Sequence, residues 1–84
     1  MGRPPKPVDE STYAGRFAAR LRTLREKAGL TGEEMADSIT KAGFECPSRT
    51  YYAWEAARNE PPLNVIPTIA KVLGIKPRTV FPDS

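Results

Sequence analysis

The chain has 84 residues and a mass of 9.3 kDa, enough for one small domain and too few for a second core, and 39% of its residues are apolar and 27% charged. It contains no histidine, which removes the commonest general base and metal ligand; neither a catalytic triad nor a zinc site is expected, and we expect no enzyme, no cofactor and no small-molecule ligand. No apolar stretch approaches the roughly 18–20 residues of a membrane span, no signal-peptide segment opens the chain, and the single cysteine, Cys46, forbids an internal disulfide, so a cytoplasmic protein without a membrane partner is expected. The net charge of +3 is uneven: residues 1–28 carry +4, residues 29–47 carry −3 and residues 48–84 carry +2. A fold that brought the two basic stretches onto one face would attract phosphate.

Residues 1–10 read as a flexible basic, proline-rich arm, with Pro4, Pro5, Pro7, Arg3 and Lys6, and residues 11–82 as the folded domain. Gly2-Arg3-Pro4 is similar to the core of an AT-hook, a minor-groove reader, but lacks the preceding arginine. A first helix should start within residues 9–12, where capping and acidic residues cluster, and end at Gly29. Tyr13, Phe17, Leu21, Leu24 and Ala28 recur along it at spacings of three and four, one apolar stripe at helical period.

Thr31 and Glu34 form a capping box for a second helix whose buried face is Met35, Ala36 and Ile39 and whose end is Gly43. After the short connection through Phe44 and Cys46, a third helix opens at Pro47 or Ser48. Tyr51, Trp54, Glu55 and Arg58 fall on one side of it, facing inward around the only tryptophan. Arg49, Tyr52, Ala53 and Ala56 fall on the other side and can face a partner. A fourth helix is expected over residues 64–73, capped by Asn64 so that Pro67 lies in its first turn, with Ile66, Ile69, Ala70 and Leu73 inward and Gly74 as the stop. Lys76-Pro77 would start a short fifth helix to about Phe81. No run alternates with the period of a strand, so the fold class is all-α.

Five short helices, a capped second one leading by a tight connection into the third, form the layout of a helix-turn-helix reader of DNA. Arg20 to Thr31 (RLRTLREKAGLT) resembles the opening of the lambda-repressor/Cro-like (XRE) family, Glu33-Glu34-Met35-Ala36 its second helix and Tyr51-Tyr52-Ala53-Trp54-Glu55 its recognition helix. Asn59-Glu60-Pro61 is similar to the loop that follows, Ile69 to Ile75 (IAKVLGI) to the fourth helix, and Val80-Phe81 to the closing segment, so the resemblance spans residues 16–81. Three departures stand out. The stretch from Ile39 to Glu45 is longer by about five residues than the usual turn, which should lengthen the second helix up to Gly43 and allows the register of the third to shift by about one residue. The glutamine that usually touches phosphate is Gly32, and the asparagine-glycine that usually ends the recognition helix is Ala56-Ala57, so that helix is expected to run on toward Arg58.

The resemblance implies a five-helix, lambda-repressor-like domain that enters the major groove with its third helix, where every base pair shows a distinct donor and acceptor pattern. By position Ser48, Arg49, Tyr52 and Ala53 would face base edges. An arginine bonding O6 and N7 of guanine together contributes roughly 1–3 kcal/mol of discrimination, which makes Arg49 the sharpest candidate. Thr31, Gly32, Thr50, Arg58 and Asn59 would contact phosphates, and Arg3 and Lys6 of the arm could reach a groove. Arg25 and Glu55 occupy the family's structural ion pair. The family further implies a homodimer on a palindromic operator, with half-sites about 34 Å apart and the dimer surface near Val80 and Phe81. The expected function is a bacterial or phage transcriptional regulator, repressor-like and without a sensor domain. The alternative is a protein-interaction module, such as a toxin-binding antitoxin, or a helix-turn-helix fold that has lost DNA binding; the missing glutamine and altered turn favour that last reading.

Overall fold

A computed structural model describes residues 9–82; Arg3, Lys6 and the rest of residues 1–8 lie outside that range. Four α-helices follow one another: α1 (Tyr13–Lys27), α2 (Gly32–Lys41), α3 (Ser48–Glu55) and α4 (Ile66–Leu73). Among the described residues there is no strand, and no helix is long and apolar enough to cross a membrane. The fifth helix is not formed. Residues Pro77–Val80 make a 3-10 turn instead, because four residues between Lys76 and Phe81 close only short-range hydrogen bonds such as Phe81 N–H to the Arg78 carbonyl.

α1 starts where capping residues cluster: Thr12 accepts the Gly15 N–H at 3.0 Å, and Asp9 folds back to accept both the amide and the hydroxyl of Ser11. Those two hydrogen bonds hold the Asp9 carboxyl below its ordinary range. α2 carries the full capping box, with Thr31 accepting from the Glu34 amide at 3.1 Å and Glu34 accepting from the Thr31 amide at 2.8 Å. It continues past Ile39 to Lys41 before Gly43 turns the chain. Asn64 is not the cap of α4. It lies in a 3-10 turn (Leu63–Val65) that feeds directly into α4, which has no side-chain cap; Pro67 still falls in the first turn, where its missing N–H costs nothing.

The core gathers Phe17 and Leu21 from α1, Met35, Ala36 and Ile39 from α2, Cys46, Tyr51 and Trp54, Val65, Ile66, Ile69 and Ala70, and Val80. The apolar stripe of α1 is thus buried at its centre, whereas Tyr13 and Ala28 at its ends are exposed. Burial pushes the Cys46 thiol above its usual range. Val80 is fully buried and Phe81 packs on Phe17 with ring centroids 5.4 Å apart. Val80 itself therefore offers no dimer surface, whereas Phe81 stays half-buried; the closing segment packs against α4 and α1, and Arg20 of α1 donates to the Thr79 carbonyl at 3.0 Å.

Candidate nucleic-acid interface

The site is α3 and what holds it. Tyr51 and Trp54, three residues apart on one face, are both buried and meet edge to face at 6.0 Å, and the Phe44 ring lies 6.3 Å from that of Trp54. One turn on, the Glu55 carboxylate takes a bidentate ion pair from Arg25 of α1, with Nε at 2.6 Å and Nη2 at 3.1 Å. The remaining guanidinium nitrogen donates to the Leu30 carbonyl at 2.8 Å. Side-chain exposures of 12% and 8% make this a largely dehydrated pair, and the carboxylate keeps the Arg25 charge well fixed, above its ordinary range. Arg25 thereby ties three pieces of chain together: α1, the α1–α2 turn and α3. The Tyr51 hydroxyl is buried without a hydrogen-bond partner; burial first, then the neighbouring Glu55 carboxylate, push its phenol above the usual range.

The long α2–α3 connection is held by a residue that sequence reasoning missed. The Thr40 hydroxyl accepts the Cys46 amide at 3.0 Å and lies 3.0 Å from the Ala36 carbonyl and 3.2 Å from the Cys46 carbonyl. A threonine near the end of a helix gives no local signal of such a bond, since its partner lies six residues on.

At the other end of α3, Ser48 and Arg49 are exposed, Tyr52 is 44% exposed, and Thr50 and Ala53 are half-buried. The side facing away from Trp54 therefore brings Ser48, Arg49, Tyr52 and Ala53 together. Ser48 is the first helical residue and not the cap; Pro47 holds that position, and its ring carries no acceptor for the helix amides. No acidic residue sits in the first turn of α3, and the ion pairs among the described residues (Arg22–Glu26, Arg25–Glu55 and Lys41–Asp37) leave Arg49 and Arg58 unengaged.

Of the residues expected at phosphates, Thr31 is exposed but its hydroxyl oxygen serves the capping box, and Gly32 is buried. What buries it is the ring of Tyr52, laid across the first turn of α2; a Cβ added to Gly32 would come within 2.7 Å of the phenol oxygen and nearer still to the ring carbons. Arg58 and Asn59 are exposed beyond the end of α3. That end comes earlier than expected. The helix stops at Glu55, because Ala57 adopts a left-handed conformation with φ 58° and Arg58 and Ala57 return their amides to the Ala53 and Trp54 carbonyls.

A capped helix, a connection, and a second helix anchored by its base with its start in solvent is the helix-turn-helix arrangement. A family model described as "Helix-turn-helix domain" matches residues 16–80. The chain belongs to that family. The match covers the same segments that carry the resemblance to lambda-repressor/Cro-like proteins. Searches of curated proteins and of solved structures find no match to this helix-turn-helix chain.

Proposed function

We propose that this helix-turn-helix domain is a sequence-specific DNA-binding transcriptional regulator of the lambda-repressor/Cro-like kind, repressor-like in action, working in the cytoplasm without catalysis. The observation that carries the reading is the build of α3: its base is fixed by Trp54 and the Arg25–Glu55 pair, while Ser48 and Arg49 stand exposed in a first turn that holds no acidic residue. An α-helix presented that way fits the major groove of B-DNA, and an unpaired arginine on its first turn suits the paired acceptors of guanine. Arg58 and Asn59, exposed just past the helix, suit the flanking phosphates. A single domain of this size spans about half of an operator, so the reading includes a homodimer on a palindromic site.

The test is a titration against a random-sequence duplex, followed by selection of preferred sites, at two salt concentrations. The expected log–log salt slope corresponds to several displaced ions. Arg49→Ala should relax the preference at one base position, a loss of roughly 1–3 kcal/mol there, whereas Arg58→Ala should weaken all sequences alike. Binding that ignores salt, or no binding at all, overturns the reading in favour of a protein-interaction module.

A further inference from the structure

The contact between Gly32 and Tyr52 joins the two helices of the motif at the point where both start, and it settles where the phenol can go. A tyrosine at the fifth position of a helix that enters a groove could extend along the helix toward the base edges. Here the ring is laid back over α2 instead, in space that exists only because residue 32 has no side chain. Gly32 is buried by that ring although it is the first residue of its helix, while its neighbours Thr31 and Glu33 are exposed. The atoms that a Cβ would displace are the far end of the tyrosine side chain, which is 44% exposed and can swing into solvent. An alanine at 32 is therefore compatible with the fold and incompatible with this position of the ring. In a helix-turn-helix complex the helix preceding the reader crosses the phosphate backbone, so a hydroxyl parked at the start of that helix lies on the backbone side of the reader.

We propose that Gly32 is a positioning residue for Tyr52: it seats the ring on the first turn of α2 and so commits the phenol hydroxyl to donating to a backbone phosphate of the duplex, and not to a base edge. This rests on the DNA-binding reading above. The first turn of α2 holds Glu33 and Glu34, with Glu34 turned back onto the Thr31 amide, so a neutral donor carried over from α3 supplies what that acidic helix start supplies poorly.

The experiment measures affinity for two duplexes of equal length, one recovered by selection from a random library and one of random sequence, together with the melting temperature of each variant. Tyr52→Phe and Gly32→Ala should each weaken both duplexes by a similar factor, about tenfold, as expected for one hydrogen bond to a charged acceptor. Gly32→Ala should melt no lower than the wild-type chain, since alanine is the better helix former, and in a Tyr52→Ala background it should change affinity less than twofold. The proposal is overturned if Gly32→Ala binds like wild type, if it weakens binding equally with and without the tyrosine ring, or if Tyr52→Phe alters the selected duplex alone, which would make Tyr52 a base reader. A wild-type chain that binds neither duplex overturns the DNA reading itself, an outcome distinct from all of these.

Discussion

At its C-terminal end α3 is held by Trp54 in the core, by two hydrogen bonds from Arg25 to Glu55 and by backbone bonds that return the amides of Ala57 and Arg58 to the helix; at its N-terminal end Pro47 gives no side-chain cap and Ser48 and Arg49 stand exposed. α2, the helix before it, does have a side-chain cap, since Thr31 and Glu34 satisfy each other's amides there. A helix of eight residues, too short to be stable alone, is held rigid from one end while the other stays exposed. Orientation comes from the base, and at the tip Arg49 is left without an ion-pair partner among the described residues.

The largest effect is expected at the base of α3. Glu55→Ala would leave the Arg25 guanidinium largely dehydrated and without its carboxylate, a change expected to cost about 3 kcal/mol. For a domain of this size that is a fall in melting temperature of more than about 10 °C. Thermal unfolding followed by circular dichroism reads it directly. A fall of only a degree or two would mean that the pair is an ornament of the surface and that α3 is held by its aromatic residues alone.

The tip offers a smaller and more pointed test. Pro47 has the extended backbone of a capping residue, φ −62° and ψ 150°, so Pro47→Asp would add a cap worth about 1 kcal/mol while giving up a proline constraint of similar size. The melting temperature should hardly move. Affinity for DNA should fall several-fold, because the new carboxylate stands beside Arg49 where phosphate and base acceptors are expected. Unchanged binding to a selected duplex, measured by fluorescence anisotropy, would show that the start of α3 lies away from the duplex.

Much of this arrangement is legible in the residues. The stripe around Phe17 and Leu21, the capping box, the glycine stops and the inward Tyr51 and Trp54 all follow from local spacing, and local spacing dictates where a helix starts and which face it buries. The rest depends on contacts between segments far apart in the chain. Residues 77–80 are too few to settle into an α-helix by local preference, and their 3-10 turn packs against both α4 and α1. The seat of Tyr52 on Gly32 depends on how α2 and α3 cross, and reading the glycine as a lost glutamine sees only the absence. The hydroxyl of Thr40 likewise becomes informative only once Cys46 is beside it.

The end of α3 shows the same limit most narrowly, and it carries the smallest of the expected effects. α1, α2 and α4 each turn off through a glycine with positive φ: Gly29 at 76°, Gly43 at 112° and Gly74 at 70°. α3 makes the same pair of backbone bonds with an alanine at 58°. Alanine reads as a helix former, which is why the sequence pointed to a longer helix; the docking of Trp54 and Glu55 imposes the stop and leaves Ala57 in a conformation costing about 1–2 kcal/mol for a residue with a Cβ. Ala57→Gly relieves that cost but loosens the unfolded chain by roughly 0.5–1 kcal/mol, so a net gain of about 0.5 kcal/mol is expected. Melting should rise by about 2–4 °C with DNA affinity unchanged, since the strain sits at the anchored end and not at the tip. A lower melting temperature would mean that the stop is set by the chain after Asn59 pulling on the helix, and that the base of α3 is held less firmly by Arg25 and Trp54 than their geometry implies.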